Sequence, residues 1–295
     1  MALPMRRPLV LDGGLSNQLA AAGCDLSGAL WSARLLLDDP GAVIGAHEAY
    51  FRAGADVVTT ASYQVSFERF EAAGIDDATT TDVLRRSVEL ARTAADRVTE
   101  RRGLRVAASI GPYGAISADG AEYRGAYGLS KAELTAFHRR RLDVLVAAHP
   151  DFLAVETIPD LDEAEVLADL VDDYDVPAWL SYTVDGSRTR AGQPLAEAFA
   201  IAAGCDLIIA TGMNCSPARD IDASIDLAAR MSGKPVVVYP NSGQVWDADT
   251  RTWLGESTFD PATVGDWIQR GAGLIGGCCQ VRPDQIRELA TMIEH

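Results

Sequence analysis

Three cysteines stand at the ends of two apolar runs: Cys215 in Gly212-Met213-Asn214-Cys215-Ser216-Pro217, and the neighbours Cys278 and Cys279 in Gly276-Gly277-Cys278-Cys279-Gln280. Thiolates grouped this way in an intracellular chain read as metal ligands before they read as disulfides. Three sulfurs suit zinc and leave its fourth tetrahedral position open, as a catalytic centre requires. Magnesium and calcium want oxygen instead. Cys205 falls at the amino end of its apolar run, and nothing pairs Cys24, in a long loop, with the others. His47 and His138 lie within helical patterns, His149 precedes a proline and His295 is terminal, so the expected donor set is sulfur without imidazole.

The elements that must bring these cysteines together alternate along the whole chain. Strand-length apolar runs occupy 9–14, 56–62, 106–111, 152–157, 178–183, 207–215, 236–242 and 274–279. Several are rich in Val and Ile without alternation, as expected for parallel strands buried on both faces. Helical patterns lie between them, including 81–101, 131–148, 161–173, Leu195–Ala203, 221–231, 262–269 and Pro283–Glu294. Ser130 with Glu133 three residues later is a capping-box signature. This succession predicts one (β/α)8 TIM-type barrel over residues 1–295 as a single domain. An open doubly wound sheet would announce a G-x-G-x-x-G loop after its first strand, whereas Asp12-Gly13-Gly14-Leu15-Ser16-Asn17 does not match. In a barrel, active sites sit at the carboxyl ends of the strands, where Cys215 (strand six) and Cys278/Cys279 (strand eight) fall. One difficulty follows. Adjacent residues of a regular strand face opposite ways, so Cys278 and Cys279 can share one metal only where the backbone leaves β geometry, which Gly276-Gly277 would make easy.

A formal net charge of −16 argues against nucleic acid or an anionic membrane as partner and weakly favours small cations. No segment nears the roughly 18 apolar residues of a membrane span, and Asp12 arrives too soon for a signal peptide. A cytoplasmic location is expected.

The chain resembles the homocysteine S-methyltransferase family of zinc-dependent barrels. The resemblance runs through Leu11-Asp12-Gly13-Gly14, Leu30-Trp31-Ser32-Ala33, Thr60-Ala61-Ser62-Tyr63-Gln64, Ser109-Ile110-Gly111-Pro112-Tyr113-Gly114-Ala115, Glu156-Thr157-Ile158-Pro159, Asn214-Cys215-Ser216-Pro217, Tyr239-Pro240-Asn241-Ser242-Gly243 and Gly276-Gly277-Cys278-Cys279. The branch resembled uses S-methylmethionine or S-adenosylmethionine as methyl donor. Ser16-Asn17-Gln18 departs from it, where Ala-Thr-Glu is common.

What the resemblance implies is a zinc-held homocysteine thiolate that takes a methyl group from a sulfonium and becomes methionine. It implies Cys215, Cys278 and Cys279 as zinc ligands, and Asp12 and Glu156 as receivers of homocysteine's ammonium. Trp31 and Tyr63 could face the sulfonium through cation–π contact, and Asn214 either donates to substrate or orients Cys215. Tyr113, Tyr123 and Tyr127, in a long loop after strand three, are expected over the site. A betaine-dependent methyltransferase is the rival of the same kind. A non-catalytic zinc-binding or sensing barrel is the rival of another class, but it would normally close its site with a fourth protein ligand.

Overall fold

The structure is a computed structural model that describes residues 7–26, 28, 30–117, 120–247 and 252–294. Eight parallel strands form its centre: β1 Leu9–Val10, β2 Val57–Thr59, β3 Arg105–Ile110, β4 Phe152–Ile158, β5 Ala178–Tyr182, β6 Ile208–Asn214, β7 Val236–Tyr239 and β8 Ala272–Ile275. They pair in the order β1-β8-β7-β6-β5-β4-β3-β2, and a parallel bridge between Leu11 and Val57 closes the ring. The predicted (β/α)8 TIM-type barrel is therefore the fold. Helices such as Pro40–Ala53, Asp77–Arg97 and Lys131–Ala147 cover the outside, the last opening with the predicted capping box of Ser130 and Glu133.

Two cores hold the layers together. Inside the barrel, Leu11, Val57, Phe152, Trp179, Val237 and Leu274 pack with the smaller Ala107, Ala154 and Ala210. Large rings opposite alanines fill a barrel as a solid core rather than a pore. The second core lies between sheet and helices and contains most of the remaining buried aliphatic and aromatic side chains. Among the described residues no helix is long and apolar enough to cross a membrane.

All the observed strands except β4, which runs to Ile158, stop short of the apolar runs at their carboxyl ends. β8 stops at Ile275, β6 at Asn214 and β1 at Val10. Just beyond or near these ends Thr157, Cys215 and Gln280 adopt positive φ values of 63°, 48° and 64°. Residues other than glycine seldom enter this left-handed region, and each such residue costs on the order of 1–3 kcal/mol. These three lie at the face that carries the cysteines; of the other left-handed residues besides glycine, Ala126 lies in the third βα connection and His149 just before β4.

Candidate functional site

The sulfur atoms of Cys215, Cys278 and Cys279 all lie within 4.8 Å of one another, and Cys215 Sγ is 3.6 Å from Cys279 Sγ. A tetrahedral centre with zinc–sulfur bonds near 2.3 Å separates its sulfurs by about 3.8 Å, so the spacing fits a shared metal ion. No fourth Cys, His, Asp or Glu joins this cluster among the described residues. Cys24 is outside it, and Cys205 lies just before β6, at the opposite end of the barrel, with Sγ 3.8 Å from Asp172. Hydrogen bonds from Cys215 and Cys278 hold the Cys279 thiol well below its ordinary value. Cys278, bonded to Cys215 and Cys279, is pushed up instead. Three crowded sulfurs that share negative charge in this way form a ready receptor for a soft cation.

The segment 276–281 shows how neighbouring cysteines come to one centre. Leaving β geometry after Ile275, it satisfies its backbone N–H groups on partners from several elements. Gly276 N–H donates to Val238 O (2.9 Å), Gly277 to Asp12 O (3.0 Å), Cys278 to Pro240 O (2.7 Å) and Val281 to Cys278 O (3.1 Å). Cys279 N–H donates to Asn241 Oδ1 at 3.2 Å, and Gln280 N–H to Asn17 Oδ1 at 2.8 Å. The glycines serve here through size. A Cβ on Gly277 would meet Val281 Cγ1 at 2.1 Å, and one on Gly276 would meet Asp12 O at 2.7 Å. Gln280, not either glycine, takes the positive φ. Conformational freedom, the expected reason for the glycine pair, gives way to close approach.

Two buried carboxyl groups stand on the same face. Asp12 accepts from Thr59 N–H at 2.9 Å and from Thr59 Oγ1 at 3.2 Å. Glu156 Oε1 accepts from Ser109 Oγ, and Glu156 Oε2 lies 3.1 Å from Tyr239 Oη. Neither is paired with a cationic side chain among the described residues. Burial raises Asp12 well above the usual carboxylate range, with the Thr59 bonds opposing it and Glu156 adding to it. Burial likewise pushes Glu156 up to about 7 against the bonds from Ser109 and Tyr239. Uncompensated buried acids of this kind mark places where a cation is missing.

The tyrosines of the third βα connection separate into two groups. Tyr113 stacks on Tyr127 (centroids 5.3 Å apart) and on Phe137 (4.9 Å), which anchors the loop to helix Lys131–Ala147. Tyr123 alone reaches the sulfurs, with its hydroxyl 3.1 Å from Cys215 Sγ and Arg190 over its ring at 6.0 Å. Tyr63 is also close: its hydroxyl bonds Thr157, and its ring packs where a Gly111 Cβ would come within 2.7 Å. Buried Arg141 fixes that corner by donating to Gly111 O and Tyr63 O, each at 3.1 Å. Trp31 begins the short 3-10 helix Trp31–Arg34, and its side chain lies outside the described residues.

Asn214 is buried, and its amide is committed. Oδ1 accepts from Thr157 N–H (2.8 Å) and Ser181 Oγ (2.9 Å), while Nδ2 donates to Thr157 Oγ1 (2.8 Å). These bonds hold the strand end that leads into Cys215. Asn17, Asn241, Arg141 and Tyr239 carry no individual site role in the sequence reading, although Tyr239 and Asn241 lie in the motif Tyr239-Pro240-Asn241-Ser242-Gly243. For Asn17 the one signal was its place in Ser16-Asn17-Gln18, the stretch that departs from the family pattern.

Fold and site together define a barrel enzyme with a sulfur-lined centre able to hold a metal ion. The family model for homocysteine S-methyltransferase matches residues 9–293. The chain belongs to the homocysteine S-methyltransferase family. It is 43% identical to homocysteine S-methyltransferase 4 of Zea mays, over 96% of this chain and 89% of that one. It is 41% identical to homocysteine S-methyltransferase YbgG of Bacillus subtilis, over 96% and 93%. The crystal structure of the homocysteine methyltransferase MmuM from Escherichia coli in its metallated form superposes with a TM-score of 0.88 at 38% identity, covering 97% of this chain and 96% of that one.

Proposed function

We propose that this chain, acting as a single barrel domain in the cytoplasm, transfers a methyl group from a sulfonium donor to the thiolate of homocysteine and so forms methionine. S-methylmethionine is the first-choice donor and S-adenosylmethionine the second. The observation that carries the reading is the meeting of three sulfurs within 4.8 Å with two buried carboxyls that lack a cation among the described residues. A thiol donor set calls for a soft metal, and a cation-deficient pocket beside it calls for an ammonium.

Zinc held by Cys215, Cys278 and Cys279 would supply a Lewis acid that keeps a bound thiol ionised at neutral pH. Glu156 and Asp12 hold homocysteine's ammonium, and the approach of that charge restores the ionised form that burial disfavours in both acids. Asn214 and the bonded segment 276–281 keep the sulfurs in place. Tyr63 and Tyr123 wall the donor side, where aromatic faces suit a sulfonium, and Trp31 is assigned to that side by the sequence alone. The homocysteine sulfur forms a bond to the methyl carbon, the old carbon–sulfur bond breaks, and its electron pair stays on the donor sulfur as a neutral thioether. Positioning and exclusion of water by the surrounding side chains lower the barrier. The test is methionine formation from homocysteine with S-methylmethionine, S-adenosylmethionine and betaine in turn, on protein of known metal content. Turnover with a sulfonium is expected; turnover with betaine alone would overturn the donor assignment.

A further inference from the structure

The buried residues around Glu156 contain a hydrogen-bonded chain whose hydrogens can be counted. Glu156 Oε2 meets Tyr239 Oη at 3.1 Å, Tyr239 Oη meets Ser181 Oγ at 2.7 Å, and Ser181 Oγ meets Asn214 Oδ1 at 2.9 Å. Both ends have fixed polarity. Asn214 Oδ1 accepts from the Thr157 N–H at 2.8 Å, so it cannot be the donor half of the amide. Trp179 Nε1–H, which only donates, occupies a lone pair of Tyr239 Oη at 3.0 Å. Ser109 Oγ donates to the other oxygen of Glu156. The chain therefore has three links but only two hydroxyl hydrogens of its own, from Tyr239 and Ser181. A further contact of Ser181 Oγ, to Val155 O at 3.4 Å, competes for the same supply.

We propose that the Tyr239–Ser181–Asn214 chain holds Glu156 as the neutral carboxylic acid in the substrate-free enzyme, because the acid proton is the third hydrogen the chain needs. With it, Glu156 donates to Tyr239, Tyr239 to Ser181 and Ser181 to Asn214, and every acceptor is filled. Without it, two buried oxygens face each other with no hydrogen between them, which costs on the order of 1–3 kcal/mol. Other acids point the same way. Asp12, Tyr63 and Tyr239 each feel the charge of ionised Glu156 unfavourably. Tyr239, buried, is held well above its ordinary range and keeps its own proton. The arrival of an ammonium would then reverse the chain: Glu156 gives up its proton to solvent, Tyr239 turns its hydrogen to the carboxylate, and Ser181 turns its own to Tyr239. Glu156 thereby becomes a receptor charged by its ligand. That last step rests on the reading of Glu156 as the ammonium site, whereas the neutral free state does not.

Infrared titration of the substrate-free full chain separates the two claims. Wild type should show a carboxylic C=O band, absent in Glu156→Gln, that disappears only near pH 7. Ser181→Ala leaves one link and one hydrogen between Tyr239 and Glu156, so its band should be lost about one pH unit lower. Tyr239→Phe strips the carboxylate of its donor and should move the loss upward. Opposite shifts are what a merely structural role would not give. Loss of the band at one pH in all three proteins, or its absence from wild type at pH 6, overturns the proposal. Should Ser181→Ala fail to fold, the wild-type band decides alone, and its absence at pH 6 overturns the proposal. Calorimetry of homocysteine binding in buffers of different ionisation enthalpy should then show more protons released by wild type than by Glu156→Gln. Equal release, with the infrared result intact, would remove the ammonium role and leave the neutral free state standing.

Discussion

The two ends of the barrel treat charge in opposite ways. At the amino ends of the strands, acids are matched with bases. Asp56, just before β2, accepts from Arg7 (2.8 and 2.9 Å), Arg101 (3.0 Å) and the Val10 N–H (3.0 Å). Asp151, just before β4, takes Arg92 and the Val106 N–H, each at 2.7 Å. Lys234 caps the carbonyls of Cys205 and Ile208. At the carboxyl ends, Asp12 and Glu156 lie buried with hydrogen bonds but no cation among the described residues, beside three sulfurs. The backbone follows this division only in part: left-handed Thr157, Cys215 and Gln280 lie at the sulfur end, but left-handed His149 lies at the other, just before β4. One end is finished by the chain itself. The other is completed by what binds to it, which is why strain and buried acid are tolerated there.

Perturbing the unmatched end should show first in the pH dependence of stability. Glu156 is raised in the folded state to about 7 from an ordinary 4.5. Its contribution is therefore fully present below the unfolded value and is lost as pH rises through the folded one. Between these limits wild type should lose about 3 kcal/mol relative to Glu156→Gln. Denaturant unfolding of both proteins at several pH values measures that difference. A gap constant with pH would mean that Glu156 is not held neutral.

Next in size is ligand affinity. Glu156→Gln keeps the hydrogen-bonding shape and loses the charge, so homocysteine should bind about 100-fold more weakly, near 2.7 kcal/mol. A simple thiol without the amino group should bind nearly unchanged. Equal losses would assign Glu156 to the fold rather than to the ammonium.

At the matched end the effect should be of another kind. Asp56→Asn breaks a partly exposed ion pair with two arginines, so stability should fall by about 1–2 kcal/mol with the KM for homocysteine unaltered. A changed KM would show that the two ends are coupled. The smallest expected change belongs to Trp31→Leu, which deletes a π-face and should weaken the donor by roughly 0.5–2 kcal/mol while sparing homocysteine. If homocysteine kinetics suffer instead, Trp31 lines the thiol side.

Much of the barrel was legible because its strands are buried on both faces and read as unbroken apolar runs. Their carboxyl ends were not. The runs 207–215 and 274–279 continue past Asn214 and Ile275 because Gly and Cys look apolar, yet there the backbone bends to aim sulfur inward. The cysteine set was visible because few residue types make so specific a donor group. Asn17, Asn241 and the Tyr239–Ser181–Asn214 chain were not, since each joins residues from elements far apart in sequence through bonds that composition does not encode. The tyrosines of the third connection were recognised as a cluster, but only coordinates separate Tyr123, on Cys215, from Tyr113, which packs against Tyr127 and Phe137.

The claim on which the rest depends is that three thiols at the unmatched end hold one metal ion. Metal analysis of protein purified without chelator tests it most directly, with Cys215→Ala, Cys279→Ala and Cys205→Ala alongside. About one zinc per chain is expected in wild type and in Cys205→Ala, and little in the other two, all four remaining folded because the strand ladder and the many other buried side chains hold the barrel. Full zinc in Cys215→Ala and Cys279→Ala would contradict it.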